Sequence, residues 1–173
     1  MIKKIISKIY SRLLSPNKSA KFQGVVFGKN CNFGKNCKFM SEPYLIRIGD
    51  DFSTSSNVNF VTHDGSLRVL RNIYPKHKKA DLFGTINIGN NVFIGVGVTV
   101  LPNTSIGNNV IIGASSLVKG TLKSNSVYAG VPVKYICSIE EYMQKNESNF
   151  DTTKHLNYNE KKVYLVDKYT NEK

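Results

Sequence analysis

Three histidines are the side chains of this 173-residue chain best suited to proton transfer. His63 stands in the run Thr62-His63-Asp64-Gly65, His77 in a basic run of lysines, and His155 in a polar stretch near the C-terminus. An imidazole changes charge near neutral pH, so it can take a proton from a weakly acidic hydroxyl. A lone loop histidine can equally do no more than hydrogen-bond its neighbours. The position of His63, at the start of a long loop, favours the role of general base.

A general-base histidine needs an acceptor that holds its tautomer, and two carboxylates are candidates. Asp64 is adjacent to His63 in sequence, and adjacent side chains often point apart. Glu42 lies roughly one coil earlier, a coil being three six-residue repeats, so it can approach His63 from a neighbouring strand or subunit. We rank Glu42 before Asp64, while noting that Glu42 also fits a turn position before Pro43.

The elements that position these side chains follow a six-residue repeat. An apolar residue, usually followed by glycine, opens hexads at Phe27, Phe33, Ile48, Ile88, Ile94, Val100, Ile106, Ile112 and Val118, and Thr54 opens one more. The fourth position of each hexad favours residues that tolerate a left-handed backbone: Asn30, Asn36, Asp51, Asn57, Asn91, Gly97, Asn103, Asn109, Ser115 and Thr121. A helix would not accept such a residue in every turn. The repeat predicts a parallel β-helix with three hexads per coil and roughly five coils.

This pattern resembles that of the hexapeptide-repeat acyltransferases, whose fold is a left-handed parallel β-helix. The run from Tyr128 to Lys134, Tyr-Ala-Gly-Val-Pro-Val-Lys, is similar to the ending of the helix in members that acetylate sugars, amino acids and antibiotics. The stretches Ser41–Gly49 and Phe60–Gly65 resemble a subgroup found in capsule and lipopolysaccharide gene clusters. The resemblance implies an all-β, left-handed β-helix with short terminal helices.

The resemblance also implies a reaction: transfer of an acetyl group from acetyl-CoA to a sugar hydroxyl, in surface or capsular polysaccharide biosynthesis. His63 matches the family's general base. Small residues along the donor groove match Gly95, Gly97 and Ala114, although the repeat itself favours small residues there. Lys119 and Lys134 match basic positions that face the phosphates of coenzyme A, and we expect Asn36 and Arg71 to contact the acceptor. Asn36 also fits a purely conformational role.

The resemblance does not distinguish amine acceptors from hydroxyl acceptors. The family's donor groove forms between subunits, so the resemblance also predicts a homotrimer.

The chain is strongly basic, with 24 Lys and Arg against 12 Asp and Glu, a net charge of +12. This charge calls for an anionic partner. No nucleic-acid recognition motif accompanies it, so we expect no nucleic acid partner. The phosphates of coenzyme A, an acidic glycan and an anionic membrane surface all fit. Three cysteines without a secretory leader indicate reduced thiols and a cytoplasmic protein, with a peripheral position at the inner membrane face as the alternative.

The pattern divides the chain into three parts. Residues 1–20 are expected to form an N-terminal amphipathic helix or cap, residues 21–137 the β-helix with a loop at 64–85, and residues 138–173 a C-terminal helix and polar tail. The amphipathic pattern over residues 1–14 is expected to stop at Pro16. It fits either a cap over the open end of the β-helix, which we favour, or a weak contact with a membrane surface. Ser138 and Glu141 have the spacing of a helix capping box.

Two other functions use the same fold. A zinc carbonic anhydrase needs three converging histidines, and only His63 and His77 lie in or near the repeat. We therefore expect no metal. A non-catalytic scaffold or ice-binding surface would need neither the His63 loop nor the mixed outward residues that this repeat carries.

Overall fold

The computed structural model describes residues 14–170, and the expected left-handed parallel β-helix is confirmed. Its strands are β1 Val26–Phe27, β2 Ile46–Ile48, β3 Ser53–Thr54, β4 Asn59–Phe60, β5 Ile86–Ile88, β6 Val92–Ile94, β7 Thr99–Val100, β8 Thr104–Ile106, β9 Val110–Ile112, β10 Leu117–Val118, β11 Thr121–Leu122, β12 Ser126–Ala129 and β13 Lys134–Ser138. The helices are α1 Pro16–Gln23, α2 Leu67–Ile73, α3 Ile139–Asn146 and α4 Tyr158–Thr170.

Three sheets form the faces of the β-helix. The first has the order β1-β2-β5-β8-β11, the second β13-β12-β9-β6-β3 and the third β10-β7-β4. Every strand pair between successive coils is parallel, and among the strands of residues 14–170 β12 and β13 alone pair antiparallel. The five strands of the first sheet agree with the expected five coils.

Short strands with alternating burial fill the interior. In β2, β5, β6 and β8 the outer two residues are buried and the middle one is exposed, as the period of two requires. The first coils carry phenylalanines inside, where Phe33 lies 5.3 Å from Phe52 and Phe39 stacks at 5.4 Å on Phe60. Later coils replace these rings by isoleucine and valine. Each fully buried aliphatic side chain contributes roughly 1.5–3 kcal/mol.

The corner column behaves as expected at nine of its ten positions. Those nine residues have positive φ, and asparagine side chains among them form ladders, as in the hydrogen bond from Asn91 Nδ2 to Asn109 Oδ1 at 2.9 Å. The expectation for Thr121 is wrong, because Thr121 lies in β11. Gly120, at φ 86°, makes that turn instead. The ladder then continues to Asn125, which is 16 residues beyond Asn109, so the last coil is shorter than three hexads.

The N-terminal helix begins where we expected one to end. Pro16 occupies the first turn of α1, where its missing N–H is not needed. The amphipathic pattern of residues 1–13 lies outside the described residues. α1 continues to Gln23, three residues past the expected boundary at residue 20. Asn17 ties it to the first coil by donating to the Cys31 carbonyl at 2.5 Å and accepting from the Phe33 N–H at 2.9 Å.

The interruption of the repeat is partly helical. It contains α2 and a 3₁₀ turn at Pro75–His77, neither of which the sequence pattern indicated. Near the C-terminus, the capping box is confirmed, since Ser138 and Glu141 exchange hydrogen bonds at 2.7 and 3.0 Å.

The chain forms two compact units, one reaching to Tyr142 and the other beginning at Met143. Within the second unit, Asp151 accepts hydrogen bonds from Tyr164, Lys168 and Tyr169 of α4. These donors, led by Lys168, lower the pKa of Asp151 to about 2. Across residues 14–170 no helix has both the length and the apolar character needed to cross a bilayer.

Candidate active site

His63 stands at the point where the chain leaves the third sheet and enters the loop. Its backbone bridges Phe83 in antiparallel fashion. On either side, Asp64 donates its N–H to Leu82 at 2.8 Å and Gly84 donates to Thr62 at 2.8 Å. The two ends of the loop are therefore closed at its base, which holds the His63 backbone against the last turn of the β-helix.

Coil length brings Glu42 to His63. The first coil is 21 residues long, as the bridge between Lys38 and Asn59 shows. The same offset places Glu42 level with His63. His63 Nδ1 lies 3.0 Å from Glu42 Oε2, and their side chains are 39% and 15% exposed. The carboxylate can only accept, so Nδ1 carries the hydrogen in this pair and Nε2 keeps its lone pair.

Two hydroxyls complete the environment of this pair. Ser41 Oγ lies 3.1 Å from His63 Nδ1, and the fully buried Thr62 donates from Oγ1 to Glu42 Oε2 at 3.1 Å. Burial raises the pKa of Glu42, but hydrogen bonds from the three surrounding side chains and the His63 charge outweigh it. The net pKa of Glu42 lies below its ordinary value, so the carboxylate is ionised and can support an imidazolium.

Asp64 stabilises a turn rather than orienting the imidazole of His63. Its Oδ1 accepts the Ser66 N–H at 2.8 Å, which closes a turn at the start of the loop. This hydrogen bond, with a smaller contribution from the Lys119 charge, lowers the pKa of Asp64. The structure brings Glu42, and not Asp64, to the imidazole nitrogen.

Arg71 and Asn36 both have partners within the chain. Arg71 Nε donates to the Ala80 carbonyl at 2.6 Å and its guanidinium pairs with Asp81, so it joins α2 to the returning segment of the loop. Asn36 has φ 60° and donates to Asn57 Oδ1 at 3.2 Å within a corner ladder. These contacts give each residue a structural role without involving an acceptor.

The residues expected to bind the donor do not all lie together. Gly95 packs against Ala114. After β12 the chain turns at Gly130, whose N–H donates to Ser116 Oγ, and β13 then begins at Lys134. Gly97 lies at the same corner, before β7. Lys119 instead follows β10, at the corner where the strands of the third sheet end, and its charge acts on Asp64 there. His63 lies at that same corner, whereas Gly97 lies at the corner where these strands begin.

A full face of the β-helix separates His63 from the Gly97 corner. The pairing of Phe60 with Val100 places His63 level with Asn103, six residues after Gly97. Six residues at about 3.3 Å per extended residue span up to about 20 Å. One subunit therefore does not join its own His63 to its own Gly97 corner.

Within residues 14–170 no group of three His, Cys, Asp or Glu side chains converges as metal ligands do. The three cysteines are free thiols, and Cys31 and Cys37 pack against the core. Burial raises the pKa of both thiols, which makes them poor nucleophiles.

Sequence reasoning missed Ser41 and Thr62. Each flanks a residue that was singled out, Glu42 or His63, and the 21-residue offset makes the two hydroxyl residues neighbours across the coils. That offset depends on the 3₁₀ turn at Pro43–Leu45, which adds residues between coils and has no hexad signature. The signal available in the sequence was that Ser41 and Thr62 each directly precede a residue of the acid–base pair.

Known proteins share this sequence and fold. Residues 85–120 match the bacterial transferase hexapeptide (six repeats) family. The chain is 45% identical over 170 residues to Protein CapG of Staphylococcus aureus, covering 97% of this chain and 96% of CapG. It is 39% identical over 97 residues to the putative lipopolysaccharide biosynthesis O-acetyl transferase WbbJ of Escherichia coli K12, covering 53% of this chain and 49% of WbbJ.

Among solved structures, the fold is similar to that of a galactoside acetyltransferase in complex with coenzyme A. The TM-score is 0.53 at 22% identity, and the match covers 83% of this chain and 82% of that one.

Proposed function

Because this chain belongs to the hexapeptide-repeat acyltransferase family, we propose that it is an acetyl-CoA-dependent O-acetyltransferase that acts on a sugar hydroxyl in surface polysaccharide biosynthesis. The observation that carries the proposal is the contact of His63 Nδ1 with Glu42 Oε2 at 3.0 Å. A structural β-helix needs no such pair. Two similar proteins support the choice of acceptor and donor: a putative lipopolysaccharide biosynthesis O-acetyl transferase, and a solved galactoside acetyltransferase of the same fold in complex with coenzyme A.

The chemistry follows from the free nitrogen of His63. Nε2 takes the proton of the acceptor hydroxyl while the hydroxyl oxygen attacks the thioester carbonyl carbon of the donor. The tetrahedral intermediate collapses, the carbon–sulfur bond breaks, and the imidazolium returns its proton to the departing thiolate. Glu42, ionised and hydrogen-bonded to Nδ1, stabilises the imidazolium between the two transfers. Backbone N–H groups stabilise the oxyanion.

We assign the donor to the corner of Gly95, Gly97 and Ala114, with Lys134 facing its phosphates. This corner and His63 lie at opposite ends of the strands of the third sheet. The site is therefore completed between subunits of a homotrimer. Lys119, beside Asp64, contributes positive charge at the His63 edge. Asn36 and Arg71 remain proposed acceptor contacts, secondary to their structural roles. The protein works in the cytoplasm, where acetyl-CoA is made.

Replacing the base tests this proposal. We expect His63→Ala to lower kcat by about 10²–10⁴-fold with little change in donor affinity or stability, because the side chain is 39% exposed and outside the core. The residual activity should also lose the pH dependence that a histidine base imposes near neutrality. The assay follows thiol release from acetyl-CoA with a panel of sugars and amino sugars, which also separates hydroxyl from amine acceptors.

His77→Ala is the matched control, since His77 is an exposed histidine of the same loop. It should retain full activity. Undiminished acetyl transfer by His63→Ala would refute the mechanism.

A further inference from the structure

Positive charge is concentrated at the start of the chain. Residues 1–41 contain nine Lys and Arg and no Asp or Glu, whereas the other 132 residues contain 15 basic and 12 acidic residues. The nine are Lys3, Lys4, Lys8, Arg12, Lys18, Lys21, Lys29, Lys35 and Lys38. Three quarters of the net charge of +12 therefore belongs to less than a quarter of the chain.

The fold gathers the described part of this charge at one end of the β-helix. We name residues 16–39, which comprise α1 and most of the first coil, the basic end. Its five lysines are all exposed: Lys18, Lys21, Lys29, Lys35 and Lys38. Within residues 14–170, β1 is the edge strand of its sheet, and α1 is fastened to the coil by Asn17. Ala20 is fully buried beneath α1, so the helix lysines are held on a folded surface.

Large apolar side chains are exposed among these lysines. Phe22 in α1 is 49% exposed and Val26 in β1 is 52% exposed. Met40, just after the basic end, is 41% exposed. Lysines around half-exposed apolar groups are typical of surfaces that rest in the headgroup region of a bilayer, where the ammonium groups meet lipid phosphates and the apolar groups enter the interface.

We propose that the basic end is a docking surface for an anionic lipid membrane. Its lysines are spread over a helix and the successive corners of a coil, which suits a broad charged plane better than a single phosphate group that needs converging donors. Leu14 lines a cleft with Gly34 and Cys37 of the basic end. The sequence that precedes Leu14 carries four more basic residues.

The symmetry of the proposed trimer and the position of the proposed active site both favour docking of the basic end on a membrane. In the cyclic trimer proposed above, three equivalent basic ends lie at one height along the symmetry axis and can face one surface together. Glu42 follows the basic end directly, so docking holds the proposed active site within one coil of the lipid surface. The docking itself rests on charge and exposure, and its test does not depend on the proposed acetyl transfer.

Vesicle binding by the full chain tests the proposal. We expect cosedimentation with vesicles of phosphatidylglycerol and phosphatidylcholine, weakened by added salt, and none with phosphatidylcholine alone. The variant Lys18→Gln/Lys21→Gln/Lys35→Gln should bind on the order of a hundredfold more weakly, since each lysine near an anionic surface changes affinity by about fivefold. The control Lys76→Gln/Lys78→Gln/Lys79→Gln removes the same charge from the exposed loop and should bind like the parent.

Circular dichroism melting of both variants checks that the fold is retained, which exposed lysines should not alter. Equal loss in the two triple variants would overturn the proposal, because the attraction would then follow net charge alone. Absence of binding to anionic vesicles would also overturn it. So would tighter binding of single-stranded nucleic acid through the same three lysines, since the surface would then serve a different polyanion.

Discussion

At the scale of single residues, the proposed active site depends on how firmly the Glu42 carboxylate is held. Thr62 and His63 both donate to the same oxygen, Oε2, at 3.1 and 3.0 Å. Thr62 is fully buried, so its hydroxyl has no water to replace the carboxylate as a partner. Thr62 is thus a positioning residue that acts on His63 through Glu42.

We expect Thr62→Val to lower kcat about tenfold with KM nearly unchanged, the effect of one lost hydrogen bond to a charged group. Valine keeps the shape of the buried side chain but cannot donate to Glu42. Thr62→Ser, which retains the hydroxyl, should restore most of the activity. Steady-state kinetics of the three proteins decide the point: equal defects in Val and Ser variants would indicate a packing role instead.

Acid sensitivity is the second expectation at this scale. The lowered pKa of Glu42 means that the folded state favours the carboxylate more than the unfolded chain does. Its contribution to stability is therefore present above the ordinary glutamate pKa of about 4.3 and is lost as the pH falls through the lower value of the folded protein. Glu42→Gln should lose less stability than the parent on this acidification, as measured by denaturant unfolding at several pH values. An identical pH dependence would contradict the linkage.

At the scale of elements, the close stacking of coils dictates where glycine stands. A Cβ at Gly95 would lie 2.6 Å from the Ala114 backbone nitrogen and 2.9 Å from the Ile112 oxygen. Ile112 belongs to β9, which pairs with β6, and Ala114 lies in the turn that follows β9, so a shift of either backbone atom would disturb the pairing of the coils. Gly95 is therefore required by the fold before any donor is considered. Gly97 differs, because its restriction is a φ of 71°.

We expect Gly95→Ala to destabilise the protein by about 1–3 kcal/mol, the usual cost of overpacking. Gly65→Ala is the control, since a Cβ there meets nothing within 4 Å. Thermal unfolding of the two variants measures the difference. A Gly95→Ala variant as stable as the parent would mean that the coils can separate to admit a methyl group.

At the scale of the whole molecule, the separation of up to about 20 Å between His63 and the Gly97 corner has a consequence for assembly. If His63 and the Gly97 corner serve one reaction, a neighbouring subunit must supply one of them. Closed cyclic symmetry completes every site at once, and the homotrimer is the assembly that the family's groove implies.

We expect sedimentation equilibrium to give a trimer at micromolar concentration. Coexpression then tests whether sites are shared: His63→Ala lacks the base, and Ala114→Trp fills the opposite corner from an exposed position. Mixed trimers should regain activity that neither variant has alone, because some sites combine an intact His63 with an intact Ala114. A stable monomer, or a mixture as inactive as its parts, would contradict a shared site.

The sequence by itself determined the repeating architecture. A hexad is a local signal, because an apolar residue must point inward and a residue tolerant of positive φ must turn each corner, whatever the rest of the chain does. His63 and the candidate Glu42 were also visible, since the loop that interrupts the repeat is read directly from the spacing.

Only the tertiary structure decided which groups meet. Glu42 reaches His63, while Asp64 closes a turn, because the first coil is 21 residues long and not 18. The same register brings Ser41 and Thr62 to the pair, and a shortened last coil moves the corner from Thr121 to Gly120 and Asn125. Arg71 pairs with Asp81 across a loop whose α2 has no hexad signal. These contacts depend on the lengths of the insertions between coils, and a hexad pattern carries no information on how an insertion folds.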